Sequence, residues 1–242
     1  MNLLLLDPAE LAAGSSTWLS GRRAGHLLDV VKVSPGARVP AGVLGGLMGE
    51  AEVRELRGRE VRVEVRLDRD PPPPSPVSLL VGMPRPKVLR RLLQAVAAAG
   101  VKRLVLLGGW RVERAYFGSP ALAPEAILAE LRLGLEQGRD TVLPEVRVRR
   151  LFKPFVEDEL DALLPPGNRL LAHEGASAPL ESLAPAPGPA ALAIGPEGGF
   201  TPYETERLAE RGFRCFSLGP RALRVDGAVA FGLGQVEMWL RR

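Results

Sequence analysis

The sequence predicts an α/β protein, with a small β-rich domain ahead of a larger domain built on a largely parallel sheet. Three observations carry this reading. Val61, Val63, Val65 and Leu67 alternate with Arg62, Glu64 and Arg66, the period of a half-buried strand. Pro71-Pro72-Pro73-Pro74-Ser75-Pro76 then interrupts the chain, and beyond it strand-like and helix-like segments alternate.

Residues 1–70 carry short β-branched runs at 37–43, 51–56 and 61–67, with Gly42, Gly45, Gly46 and Gly58 supplying turns. Proline fixes φ and offers no amide hydrogen, so 71–76 reads as a stiff, extended linker and 77–242 as the second domain. That domain opens with a strand at 77–83 and a helix at 86–99, with Pro86 in the first turn and Gly100 at the C-terminal cap. Val88, Leu89, Leu92, Leu93 and Val96 share one face of this helix, leaving Lys87, Arg90, Arg91 and Gln94 outside. A strand at 101–107 and helices at 124–138 and 155–164 follow. Strands at 169–173, 190–194 and 213–218, a helix at 202–211 and a last helix at 226–240 complete the domain.

Composition narrows the function. Cys215 is the sole cysteine among 242 residues and sits in an apolar run, where it reads as a buried thiol. With His26 and His173 the only histidines, no spacing suits a metal, and none is expected. No apolar run reaches the roughly eighteen residues of a membrane span, nor does the start resemble a leader, so a soluble cytoplasmic protein is expected. The net charge of +4 is uneven. Residues 71–153 hold 14 basic against 6 acidic side chains, whereas 1–70 balance and 154–242 are acidic. This concentration suits a polyanionic partner, although solvated arginines on helix faces account for it equally.

Three late strands end in loops of unusual composition: His173-Glu174-Gly175, Gly195-Pro196-Glu197-Gly198-Gly199 and Gly219-Pro220-Arg221-Ala222-Leu223-Arg224. Ligands of α/β sheets gather at the carboxyl ends of strands, and glycine lets backbone amides and carbonyls approach a flat ligand closely. The pattern is neither the dinucleotide fingerprint nor a phosphate-binding Gly-Lys-Ser/Thr loop.

The segments Ile194 to Phe200 and Leu218 to Arg224, with Glu136-Gln137-Gly138-Arg139 and the following Pro144, resemble the ribosomal small-subunit (16S) RNA uridine N3-methyltransferases. His26 with Val30, Val31 and Gly36 is similar to the family's N-terminal pattern, and the resemblance spans the whole chain. It implies a PUA-like β-barrel over 1–70, which binds RNA, and a SPOUT domain with a deep trefoil knot over 77–242. It also implies S-adenosylmethionine as cofactor, 16S rRNA of the small ribosomal subunit as partner, and uridine 1498, in the customary ribosomal numbering, as target. The family is dimeric. Gly227, Ala230, Gly232 and Gly234 in the last helix would let a second backbone approach, and a buried core helix explains them as well. The sequence departs from the family at its apolar start and at Asp226-Gly227-Ala228, where Glu-Thr-Ala is usual.

The resemblance assigns cofactor binding to Leu171, His173, Glu174, Gly175, Ile194, Gly195, Pro196, Glu197, Gly198, Gly199, Leu218, Gly219, Leu223 and Arg224. Arg224 is a candidate for holding the uracil carbonyls, and Glu197 for favouring the sulfonium charge. Ordinary salt bridging is the alternative for Arg224. For Glu197 the alternative is a carboxylate facing the dipole of the helix from Pro202. Arg85, Lys87, Arg90, Arg91, Arg111, Arg114 and Arg221 are candidates for RNA phosphate contacts. The base that removes the N3 proton is open, with Glu136 and Glu197 both candidates. A SPOUT ribose 2′-O-methyltransferase and a non-catalytic RNA-binding or ribosome-assembly protein are the competing readings.

Overall fold

The computed structural model describes residues 1–242, which form two compact units. The first comprises Met1–Pro73 and Arg132–Leu143, and the second Pro74–Leu131 and Pro144–Arg242.

In the first unit, β1 (Leu4–Leu6), β2 (Ser16–Leu19), β3 (Arg38–Val43), β4 (Met48–Arg57) and β5 (Glu60–Arg69) form a mixed sheet in the order β1-β3-β4-β5-β2. Only β1 and β3 pair in parallel; the other neighbours are antiparallel. The alternation in β5 has its expected effect. Val61, Val63 and Val65 are buried against Leu4, Leu19, Ala41 and Val53, while Arg62, Glu64 and Arg66 face outward. A short helix α1 (Gly21–Gly25), continued by wider turns over His26–Val31, adds Ala24 and Leu27 to this core. Gly49 lies at a shift of register between β4 and β5. A Cβ there would fall 2.0 Å from the Arg66 carbonyl oxygen, so no other residue fits.

The segment Arg132–Leu143, expected with the second domain, belongs to this first unit. Arg22 clasps Glu136 at 2.8 and 2.5 Å, the Glu136 carbonyl accepts from Asn2 N, and Thr141 Oγ1 donates to the Gly46 carbonyl at 2.6 Å. Helical periodicity identifies a buried face without saying which core it serves.

The second unit is a six-stranded, wholly parallel sheet. Its elements run β6 (Val77–Gly82), α2 (Pro86–Ala98), β7 (Arg103–Leu107), α3 (Pro124–Gly138), β8 (Glu145–Arg149), α4 (Phe152–Pro154), α5 (Leu160–Leu163), β9 (Asn168–Ala172), β10 (Ala190–Ile194), α6 (Pro202–Glu210), β11 (Arg214–Phe216) and α7 (Val225–Leu240). The C-terminal part of α3 lies in the first unit. Strand order is β11-β9-β10-β6-β7-β8, so the chain proceeds one way from β6 and later returns on its other side. Such a reversal leaves a crevice at the strand carboxyl ends.

Successive side chains of these strands serve opposite faces. Leu80, Val105, Leu107, Ala191 and Ala193 meet Phe155, Leu160, Leu208 and Phe213. On α7, the Cβ of any residue replacing Gly232 would lie 3.1 Å from Leu192 Cδ2, so glycine there seats the helix on β10. The strand over 168–172 is not purely apolar. Arg169 is 6% exposed, and its guanidinium donates to the carbonyls of Leu164, Pro165 and Arg211 and to Asp161 at 2.7–3.1 Å. No helix is long and apolar enough to cross a membrane.

Candidate functional site: a cleft at the strand ends

The chain segments following β9, β10 and β11 meet at a cleft of about 330 Å³. After β10 the backbone doubles back tightly, with Gly199 N donating to the Pro196 carbonyl at 2.7 Å and Gly199 at φ +71°. Gly195 makes this fold possible. A Cβ there would lie 2.8 Å from Phe200 N and 2.9 Å from Gly199 Cα, both backbone atoms. Gly82, at the end of β6, is similarly required because Pro196 occupies the space of its missing Cβ, 2.4 Å away. After β9, His173 N donates to the Phe216 carbonyl at 3.1 Å, and the imidazole stands over Gly175. After β11, Gly219 at φ +119° donates its amide to Ser217 Oγ at 3.1 Å. Ile194, Phe200, Leu218, Leu223 and Val225 give the cleft apolar walls, and exposed edges of loop backbone supply its polar groups.

Four charged side chains line it: Glu174, Glu197, Arg111 and Arg221. Arg111 reaches from the segment after β7 and donates to the Gly198 carbonyl. Glu197 accepts from Arg85 N at 3.2 Å, with the Arg85 guanidinium at 3.9 Å, so it stands at the start of α2. The helix from Pro202 instead has its own cap. Thr201 and Glu204 bond reciprocally, Thr201 N donating to Glu204 Oε2 at 2.8 Å and Glu204 N to Thr201 Oγ1 at 3.3 Å.

Of the expected cofactor residues, His173, Glu174, Gly175, Ile194 through Gly199, Leu218, Gly219 and Leu223 line the cleft. Leu171 does not; it is fully buried in the core beneath. Arg224 is exposed at the N-cap of α7, immediately before Val225, and lies outside the lining. The phosphate candidates are mostly engaged. Arg85 faces Glu197, Arg90 lies 3.8 Å from Glu130, Arg91 bonds Asp226 at 2.7 Å, and Arg111 holds Gly198. Lys87 and Arg114 form no ion pair, and Arg221 faces the cleft. Burial pushes the Asp226 carboxyl up, but the bond from Arg91 and the charges of Arg91 and Arg224 outweigh this and hold it below its usual range. Glu136, considered as a base, is buried in the first unit against Arg22 and lines no part of the cleft. Cys215, expected to be buried, is only half-buried against the edge of the core, and that burial raises its thiol.

Sequence reasoning missed Phe200, Ser217, Val225 and Ala228 as lining residues. Phe200, Ser217 and Val225 each flank one of the three strand-end loops, so strand-end position was the available signal, whereas Ala228 comes from within α7.

The RNA methyltransferase domain family matches residues 71–237. Over 251 aligned residues the chain is 30% identical to ribosomal RNA small subunit methyltransferase E of Treponema pallidum, covering 100% of this chain and 94% of that protein. The chain belongs to this methyltransferase family. Ribosomal RNA small subunit methyltransferase E 1 of Borreliella burgdorferi is 23% identical, with 94% of each chain covered. The family fold recurs in solved structures. A putative methyltransferase from Legionella pneumophila in complex with S-adenosylmethionine superposes with TM-score 0.72 at 21% identity, covering 98% of this chain and 97% of that one. Ribosomal RNA small subunit methyltransferase E of Neisseria gonorrhoeae, bound to S-adenosylmethionine, gives 0.72 at 20% identity with the same coverage.

Proposed function

We propose that this protein transfers the methyl group of S-adenosylmethionine to N3 of a uridine in small-subunit (16S) ribosomal RNA, at the position numbered 1498 in customary ribosomal numbering. The observation that carries the reading is the cleft built by Gly195 and its neighbouring strand-end loops, in a chain whose family is established over its full length. Its volume falls within the roughly 300–1,000 Å³ of small-molecule sites, and apolar walls beside exposed backbone edges suit an adenosine with a charged tail.

When bound, the cofactor supplies an already activated methyl on a positively charged sulfur. The chain's residues then have three tasks. The backbone of 195–199 and of Leu218 and Gly219 orients the ligand, and orientation removes a large share of the barrier. Glu197 and Glu174, both in the lining, favour positive charge in the cleft. Arg224, at the N-cap of α7, holds the uracil carbonyls and stabilises the N3 anion, with Arg221 contacting phosphate. N3 lies on the pairing edge of uracil, so the target base must leave its helix.

The same reading assigns 1–70, completed by Arg132–Leu143, to a PUA-like RNA-binding barrel, 71–76 to a linker and the rest of 77–242 to a trefoil-knotted SPOUT domain, in a cytoplasmic homodimer. The segment after β11 runs beside the chain between β9 and β10: Ser217 pairs with Pro179, and its backbone N donates to the Ala178 carbonyl at 2.9 Å. The test is incubation with labelled S-adenosylmethionine and unmodified small ribosomal subunits, followed by nucleoside mass spectrometry. Appearance of 3-methyluridine is expected. A 2′-O-methylated nucleoside, or cofactor binding with no methylated product, refutes the assignment.

A further inference from the structure

Beside the cleft, and separate from it, lies a second groove of about 980 Å³ in the same unit, on the other side of the segment that carries Arg111. At its edge stands Trp110, 87% exposed. Tyr203 is half exposed nearby, and Arg114, Arg150 and Lys153 are the cations of the lining. The position of Trp110 is imposed by its surroundings. Its backbone N donates to Glu204 Oε1 at 2.8 Å, and a Cβ on Gly109 would come within 2.6 Å of that same oxygen. A Cβ on Gly108 would lie 2.1 Å from the Arg150 carbonyl. Two glycines and a carboxylate only 3% exposed thus fix the backbone beneath an indole that the fold leaves in water.

The charge of the groove is one-sided. Glu204 is its only acidic lining residue, and both its oxygens are engaged, one by Trp110 N and the other by Thr201 N and Oγ1. Arg114 forms no ion pair, Arg150 rests over the Phe117 ring at 5.9 Å, and Lys153 is 3.8 Å from Glu157 on the exposed surface. A fixed aromatic face among cations is the arrangement that binds unpaired nucleotides, by stacking on any base and neutralising phosphates.

We infer that this groove binds single-stranded RNA adjoining the target nucleotide, with one base stacked on Trp110 and the backbone passing Arg114, Arg150 and Lys153. The inference rests on the RNA methyltransferase reading. Trp110 and Arg111 are consecutive, the first in the groove and the second in the cleft, so RNA held on one is delivered to the other.

The test uses the full chain and a labelled short single-stranded oligoribonucleotide, with the same sequence in duplex form for comparison. Trp110→Ala should weaken single-strand binding by about tenfold or more, and Trp110→Phe should restore most of it. Arg150→Ala should reduce the slope of log affinity against log salt by roughly 0.7. Affinity for S-adenosylmethionine should be unchanged in each variant. Equal binding by wild type and Trp110→Ala, or a preference for duplex, overturns the inference. So does loss of self-association in Trp110→Ala with RNA affinity intact, which would assign the surface to a second copy of the chain. Trp110-dependent binding without methylation of small subunits would uphold the groove and defeat the proposed function instead.

Discussion

Replacing Gly195 by alanine tests whether the cleft depends on a backbone contact that only glycine allows. The added Cβ would sit 2.8–2.9 Å from Phe200 N, Gly199 C and Gly199 Cα, where ordinary packing needs roughly half an ångström more. None of these atoms belongs to a side chain that can rotate away, so the loop itself must open. Overpacking of this kind costs about 1–3 kcal/mol, which for a chain of this size lowers the melting temperature by roughly 2–12 °C. Opening the loop also moves the cleft wall, so calorimetric titration should show weakened S-adenosylmethionine binding. Gly198→Ala is the control. Its Cβ would meet only Arg111, 3.1 Å from Cδ, and that flexible side chain can shift, so a cost below about 1 kcal/mol is expected. Equal effects of the two substitutions, or full stability and affinity in Gly195→Ala, would refute the steric argument.

Arg169→Met removes a buried guanidinium from the carbonyls of Leu164, Pro165 and Arg211, and should destabilise by about 3 kcal/mol in chemical denaturation. A near-neutral result would mean that water satisfies those groups. Acid stability follows from depressed carboxyls: hydrogen bonds from Arg23 hold Glu10 below its usual range, and those from Arg169 do the same for Asp161. A folded value below the unfolded one contributes stability at neutral pH that is lost as pH falls from about 4 through the folded value. Melting should therefore weaken over that window, and less steeply in Arg23→Met; identical profiles would remove Glu10 from the account. Arg224→Ala should lower turnover about a hundredfold with little change in cofactor affinity, whereas Arg221→Ala should weaken RNA binding first. A pure cofactor-binding defect in Arg224→Ala would exclude the uracil-facing role.

What was legible in the sequence was whatever leaves a local mark. The alternation in β5, the helix bounded by Pro86 and Gly100, and strand β10 could be read because apolar period and glycine or proline punctuation agree there. Strands β1 and β2 left weaker marks. β1 is three consecutive leucines with no alternation, and β2 carries its exposed tryptophan in an edge position. β8 was missed because Glu145-Val146-Arg147-Val148-Arg149, at the sheet edge, is too charged to resemble its buried neighbours. At the site, the glycine loops were visible as composition. The partners of Glu197 and Arg111 were not, because each lies tens of residues away and only the crossing strands bring them together. The capping pair of Thr201 and Glu204 was present in the spacing, but the third bond of Glu204, to Trp110, exists only in three dimensions.

The grouping of Arg132–Leu143 with the N-terminal unit bears on the order in which the chain matures. During synthesis, Met1–Pro73 emerges first, yet Arg22 then lacks Glu136 and the Gly46 carbonyl lacks Thr141. The intervening residues, Pro74–Leu131, include the first two strands of the other unit and must leave the ribosome before those partners arrive. The N-terminal sheet cannot therefore mature as an independent early-folding module, and a fragment ending at Pro73 should be incompletely formed. The first unit to begin is in this sense not the first to finish, and its completion reports that the opening strands of the second have already been made.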